Sequence, residues 1–403
     1  MSAAAERASE PAVEAAHAGE SPAGSPRAGA TTEPAAPGAA SARPWYPSLD
    51  GLRCLAILPI VWHHATPRPL DGVLGRGPLG VDLFFAVSGF LITSLLLHER
   101  RTTRRLSLRR FWARRSLRIF PLYYLVLGAF VVHALLLREP GPTRDHFFAS
   151  VPFYATYTSN WFLHGAVDHP IVFAFAWSLA AEEQFYFLWP PVLRWLRGAL
   201  APALVMSLLV VLDQGAERGW FASILDEGLP LRMLRSFAAP IGLGALLAIA
   251  ADAPSTSPAV RAVLARRGSS LVALGLVVAA ATRAWPLLPT HLAMTALVGS
   301  CALRRDHLLA PLFENRVVRH VGVVSYGIYL LNVPVVSACR RLVGEESPLT
   351  LFAASTVASV AVATLTWRWI ERPFLALRDR YRPAPRPHAA APASAPSDVS
   401  EAA

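Results

Sequence analysis

The sequence predicts an all-α fold, a polytopic membrane helix bundle of about ten transmembrane helices with both termini cytoplasmic and a re-entrant or interfacial helix near 147–164. Three observations predict it. The 403 residues are 54% hydrophobic and only 16% charged, where an ordinary soluble domain carries about 25% charged residues. The apolar residues fall in blocks of helical length, not in short alternating runs, so each block can satisfy its own backbone hydrogen bonds. The basic residues collect between those blocks, in loops that alternate with loops weighted toward Asp and Glu.

From the N-terminus, residues 1–44 are rich in Ala, Pro, Glu and Ser without an apolar core, so they read as a disordered tail and not as a signal peptide. Apolar runs then place spans at roughly 51–68, 79–98, 117–137, 177–196, 198–213, 232–251, 269–287, 289–303, 318–339 and 349–370. The stretch 147–164 (FFASVPFYATYTSNWFLH) is aromatic and moderately apolar. Pro152 and its many hydroxyl and amide residues favour a re-entrant or interfacial helix over a crossing. Residues 382–403, Ala/Pro-rich, form a second disordered tail, which leaves 45–381 as the membrane domain.

The net charge of +11 is carried by arginine alone, without a single lysine. It sits where the positive-inside rule puts it, so it reads as a topological signal and not as a nucleic-acid surface. The arginine-rich loop 99–118 must be cytoplasmic, and alternation from there also puts 194–198, 252–268, 304–319 and the C-terminal tail inside. The outer loops 214–230 and 341–348 carry Glu217, Asp226, Glu345 and Glu346. Counting 147–164 as a crossing would move Arg261, Arg266 and Arg267 outside, against the rule. Cys54, Cys301 and Cys339 are isolated, which indicates neither a disulfide framework nor a metal knuckle.

Ionisable residues within spans are costly and need a reason. The first span holds Asp50, Arg53, His63 and His64. Eleven residues separate Arg53 from His64, about 16 Å of helical rise and close to three turns, so the two share a face at different depths. An imidazole there can serve as a general base or carry an acyl group, or one of the pair can simply mark an interfacial helix end; spacing does not choose between His63 and His64. In GVDLFFAVSGF, the small residues Gly80, Ser88 and Gly89 suit close helix packing, whereas Asp82 calls for a basic or hydroxyl partner on a neighbouring helix. In FWARRSLRIFPLYY most arginines set topology or meet lipid headgroups, but Arg115 and Arg118, three apart, share a face suited to phosphates. In WSLAAEEQFYFLWP, Glu182 and Glu183 point about 100° apart, so one of them at most faces a given partner, for base chemistry or a structural ion pair.

Taken together, SLDGLRCLAILPIVWHHA, GVDLFFAVSGFLIT, FWARRSLRIFPLYYL, WSLAAEEQFYFLWP, VSYGIYLLNVP and WIERPF resemble the membrane-bound acyltransferase 3 family, O-acyltransferases acting on glycans, antibiotics and similar acceptors. The similarity runs in the family's order from about Ser48 to Arg378, and the combination is specific where any one motif is weak. The resemblance implies a ten-helix fold with both ends cytoplasmic. The family's Arg and His separated by ten residues fall on Arg53 and His64, which selects His64. Its arginine motif falls on Arg114, Arg115 and Arg118 and implies contact with an acyl-CoA donor. Its Trp-Ser-Leu-x-x-Glu-Glu motif falls on Trp177, Ser178, Glu182 and Glu183, with Glu182 the functional carboxylate, and its SYGIYL segment on Ser325, Tyr326 and Tyr329. One departure stands out: Asn332 occupies the position where family members usually carry a His, so hydrogen bonding survives there while basicity does not.

The resemblance therefore implies a cell-membrane O-acyltransferase. Acyl-CoA, acetyl-CoA first among them, is the co-substrate; the acceptor is a hydroxyl of a glycan, glycolipid or glycosylated small molecule; no metal and no permanently bound cofactor are implied. Acyl-CoA would dock with its phosphates on Arg115 and Arg118, and His64, oriented by Glu182, would act as base or acyl carrier. No soluble esterase-like domain follows the bundle in this sequence, so acceptor chemistry is expected within the membrane part. A proton-coupled transporter is the alternative from another class, since it too would embed His, Asp and Glu; an inactive relative, favoured by Asn332, is a third.

Overall fold

The computed structural model describes residues 46–66, 76–137, 139–163, 173, 175–226, 228–344 and 347–381, and these residues form helices and turns without strands. The tails expected at 1–44 and 382–403 lie outside the described residues, as do 345–346 of the expected outer loop. In chain order the helices are α1 (Ser48–Ala65), α2 (Leu79–Thr103), α3 (Leu108–Leu137), α4 (Pro142–Ala155), α5 (Ser159–Phe162), α6 (Ala176–Trp195) and α7 (Leu200–Glu217). They continue as α8 (Leu229–Arg235), α9 (Ala239–Asp252), α10 (Ser257–Leu264), α11 (Ser269–Thr282), α12 (Leu287–Leu303), α13 (Ala310–Phe313), α14 (Arg316–Val343), α15 (Pro348–Thr366) and α16 (Arg372–Arg378).

Among the described residues five helices are long and apolar enough to cross a membrane, and up to seven if each of two bent pairs counts as one span. The five are α2, α3, α7, α14 and α15 with its continuation; the pairs are α8–α9, bent by 46°, and α10–α11, bent by 76°. Apolar side chains such as Leu125, Leu136, Leu204, Val272 and Val357 point out of the bundle, which suits a hydrocarbon solvent. The chain is a multi-pass membrane protein.

The structure differs from the apolar runs in four places, each with a local cause. Helix α3 begins at Leu108, not at 117, because arginine is a good helix former and the charged turns continue the helix beyond its apolar part. The single run 232–251 is broken: Ala238 adopts φ 45°, and Pro240 starts the new helix α9. The expected loop 252–268 contains α10, opened by Pro258 in its first turn. After α15 the chain makes a five-residue π turn, Trp367–Glu371, before α16. Pro373 supplies the reason, since its ring would clash with the carbonyl four residues back and the wider turn relieves it.

The stretch near 147–164 folds as α4 and α5 with a break at 156–158, where Tyr157 has φ 54°. The 14 residues of α4 rise about 21 Å, short of a hydrocarbon core of about 30 Å.

Helix α1 packs against α2, α14 and α15. Helix α2 crosses α9 at backbone contact: a Cβ on Gly89 would strike the carbonyl of Ile241, and one on Gly244 would strike the carbonyl of Ala86. This reciprocal fit of small residues holds the helices together where hydrophobic burial gives little preference for protein over lipid.

Candidate active site

A cleft lined mostly by apolar side chains, with a few convergent polar groups, opens between α1, α2, α3, α6 and α14. Most of its wall is apolar, with Val81, Phe84, Phe85, Leu91, Ile92, Ile119 and Leu179. Its polar groups are Arg53 from α1, Ser88 from α2, Arg115 and Arg118 from α3, Ser178, Glu182 and Tyr186 from α6, and Ser325, Tyr326 and Tyr329 from α14. Residues more than two hundred positions apart thus converge on one volume.

These groups are held by contacts within and between the helices. The Arg53 guanidinium donates to Asp50 one turn away at 2.7 Å, with the two side chains 15% and 23% exposed. Arg115 lies over the Tyr186 ring, 4.9 Å from its centroid, with Phe111 at 5.9 Å. Arg118 lines the same cleft, one turn of α3 after Arg115. On the opposite wall, the hydroxyls of Ser88 and Tyr186 both donate to Oε1 of Glu182. Ser178 Oγ and the Tyr329 hydroxyl share a hydrogen bond of 2.6 Å, and the Tyr329 hydroxyl also reaches the Phe175 carbonyl at 3.1 Å. Tyr326 donates to the Ile119 carbonyl at 2.8 Å, which ties α14 to α3 beside the cleft.

Other residues singled out in the sequence lie elsewhere. Arg114 turns away from the cleft, donating to Glu99 at 2.8 Å and to the Tyr381 carbonyl at 2.9 Å. Asp82 faces α12, where Oδ2 is 3.2 Å from Nε2 of His291. Gly89 serves the α2–α9 crossing. Trp177 is 46% exposed and meets Phe85 edge to face at 6.2 Å. Glu183 is not among the residues lining the cleft, and its Oε1 is buried without a hydrogen bond among the described residues. Asn332 is buried on α14; its Nδ2 donates to the carbonyls of Tyr329 at 2.6 Å and Ile328 at 3.2 Å, while its Oδ1 has no partner among the described residues.

The two histidines that spacing left open differ in surroundings. His63 is exposed, whereas His64 is half-buried, with Nδ1 buried and without a hydrogen-bond partner among the described residues. His64 stands outside the cleft lining, about 16 Å along α1 from Arg53. Glu182 and His64 make no hydrogen bond: those to Glu182 come from Ser88 and Tyr186.

Sequence reasoning passed over Tyr186, Glu99, His291 and Glu371. Tyr186 stands one turn after Glu182, a spacing that signals a contact. His291 is an ionisable residue within the run 289–303 and carried the same warning as Asp82. Glu371, in the quoted WIERPF, closes the π turn and is only 5% exposed. Ser88, expected as a packing residue, hydrogen-bonds Glu182 instead.

The acyltransferase 3 model, described as an acyltransferase domain, matches residues 46–368. The peptidoglycan O-acetyltransferase OatA of Listeria monocytogenes is 30% identical over 356 residues, covering 82% of this chain and 56% of the relative. A Bacillus subtilis protein named as a candidate peptidoglycan O-acetyltransferase is 30% identical over 357 residues, covering 82% and 55%. A Staphylococcus aureus protein named as a candidate O-acetyltransferase is 28% identical over 369 residues, covering 82% and 57%. The chain thus spans about half the length of the curated relatives it matches. No solved structure matches it. With the family's motifs gathered around one cleft and its model matched along most of the sequence, the chain belongs to the acyltransferase 3 family.

Proposed function

We propose that the protein is a membrane O-acyltransferase that moves an acyl group, acetyl first among the candidates, from acyl-CoA to a hydroxyl of a cell-surface glycan. The observation that carries this reading is the convergence of Arg53, Arg115 and Arg118 on an apolar cleft where, of the three and among the described residues, Arg53 alone has a carboxylate in ion-pair contact. Three guanidinium groups in a low-dielectric space repel one another, and the arrangement is favourable when an anion with several oxygens enters. The phosphates of CoA meet that requirement, and the apolar wall takes the arm that leads to the thioester.

The chemistry then needs a base near the thioester. Nδ1 of His64 is buried without a hydrogen-bond partner among the described residues, and Nε2 is taken as the nitrogen that does the chemistry. In the direct course Nε2 takes the acceptor hydroxyl proton as its oxygen attacks the thioester carbonyl. The carbon–sulfur bond breaks and the CoA thiolate receives the proton. In the relay course Nε2 itself attacks the thioester carbonyl and the carbon–sulfur bond breaks to release CoA; the acceptor oxygen then attacks the acyl carbon, the carbon–nitrogen bond breaks, and the hydroxyl proton returns to the freed imidazole. Glu182, with its two hydroxyl donors, orders the cleft wall beside Arg115 rather than orienting His64. The names of the relatives make peptidoglycan the first acceptor to try.

Ten crossings with both termini cytoplasmic remain our reading of the topology. Counting α1, α6 and α12, of 18, 20 and 17 residues, with the seven makes ten, and the arginine distribution supports it. We read α4 and α5 as a re-entrant or interfacial element. The test of function is transfer of label from radiolabelled acetyl-CoA in membranes bearing wild type, His64→Ala or His63→Ala. Label reaching a glycan fraction with wild type and His63→Ala, but not with His64→Ala, is expected. Equal transfer by His64→Ala would remove His64 from the mechanism.

A further inference from the structure

We infer that Arg340 is a positioning residue that ties His64 to α14 and so sets where the imidazole stands relative to the donor cleft. This rests on the reading of His64 as base or acyl carrier. The last carbonyls of a helix have no donor within it. At the end of α1 the Trp62 carbonyl is met by the backbone N–H of Thr66 at 3.0 Å and by its hydroxyl at 2.8 Å. The His64 carbonyl is met from another helix: Nη2 of Arg340 donates to it at 3.1 Å. The tie therefore joins the end of α1 to α14 through a charged donor, which makes a stronger bond to a carbonyl than a neutral one. A guanidinium at a helix C-terminus is also favoured by the helix dipole.

The tie matters because of what else α14 carries. Ser325, Tyr329, Asn332, Val336 and Arg340 follow one another at spacings of four, three, four and four, so they lie along one face of this helix. Its lower end, with Ser325 and Tyr329, lines the donor cleft. Its upper end holds the His64 backbone, about 22 Å further along the axis. One helix therefore gauges the separation between the donor groups and the histidine. Among the described residues, the Arg340 bond reaches the end of α1 from another helix, and the ring contact of Trp62 with Phe352 lies within the same last turn of α1.

The experiment combines kinetics with a chemical probe. Arg340→Gln, Arg340→Lys and the exposed neighbour Arg341→Gln are compared with wild type for kcat and donor KM. The carbethoxylation rates of His64 and His63 are measured by mass spectrometry, with the exposed His63 as internal reference. Arg340→Gln is expected to lose on the order of tenfold to a hundredfold in kcat with donor KM unchanged, the scale of a misplaced catalytic group. His64 should become several-fold more reactive relative to His63, Arg340→Lys should recover part of both changes, and Arg341→Gln should match wild type. An unchanged kcat, an unchanged His64 reactivity, or a raised donor KM at wild-type kcat would each overturn the inference. Should Arg340→Gln not accumulate, Arg340→Lys carries the test, and wild-type values of both quantities overturn it. If His64→Ala transfers as well as wild type, the catalytic reading fails instead, and the reactivity comparison still reports on the tie.

Discussion

Replacing Arg114 by Gln should damage the fold and spare the donor, although its neighbours in the same motif should do the reverse. Arg114 and Glu99 form an ion pair at 2.8 Å with side-chain exposures of 16% and 9%. Glu99 also accepts from the Ser107 backbone N–H at 3.2 Å, and Arg114 reaches the Tyr381 carbonyl at 2.9 Å. The pair thus joins the end of α2, the start of α3 and the segment after α16. Removing one partner of a buried pair costs about 3–5 kcal/mol, and the residual exposure puts this case near 3. The double change Glu99→Gln with Arg114→Gln should cost less than the sum of the singles by about 1 kcal/mol or more, because no unpaired charge is left. The assay is thermal unfolding in detergent together with donor KM in membranes. Arg118→Gln, which removes a cation lining the cleft, should raise the donor KM by about tenfold, the loss of one charge-assisted hydrogen bond. If Arg114→Gln raised KM as much as Arg118→Gln at an unchanged unfolding temperature, the assignment of Arg114 to structure would be wrong.

Ser88→Ala and Tyr186→Phe each delete a hydroxyl that donates to Glu182, so each should cost about 1.5–3 kcal/mol of cleft order and lower acyl transfer, read as kcat/KM in membranes. Gly89→Ala should destabilise by about 1–3 kcal/mol, since its methyl meets the Ile241 carbonyl, while Gly128→Ala, with open space at that position, should be neutral or gain about 0.5–1 kcal/mol; unfolding temperatures distinguish them. His307, on the loop before α13, hydrogen-bonds Ser48 at 2.9 Å, and burial holds its imidazole below the ordinary range. The unfolded chain then binds the proton more readily. Stability should be full above about pH 6.5 and fall as the pH drops below it, a trend that His307→Gln should flatten in thermal unfolding between about pH 7.5 and 5.5.

Much of this protein was legible from local pattern. Helical blocks of apolar residues announced the bundle because a segment in lipid must satisfy its own backbone, and the cleft residues Arg53, Arg115, Arg118 and Glu182 were visible as ionisable groups where lipid tolerates few. The breaks at Ala238 and Trp367–Glu371 were not, although Pro240 and Pro373 stood beside them. A proline tells that a helix is disturbed but not whether it bends, widens or stops, since neighbouring helices decide which is cheapest. The turn of Arg114 away from its motif partners was equally hidden, because the carboxylate that takes it lies fifteen residues earlier and meets it only through packing.

The sequence by itself determined the class of molecule, the membrane as its solvent, the family, and which side chains were too costly to be accidental. Composition and spacing carry that information because transfer of charge and backbone into hydrocarbon is penalised residue by residue, whatever the partners. Tertiary structure alone decided the partnerships: Glu182 with Ser88 and Tyr186 and not with His64, Arg114 with Glu99 and not with the cleft, Asp82 with His291, and His64 with the far end of α14. Those choices depend on which helix faces lie together, and helix rotation is set by close approaches such as that of Gly89 to Ile241, between residues far apart in sequence.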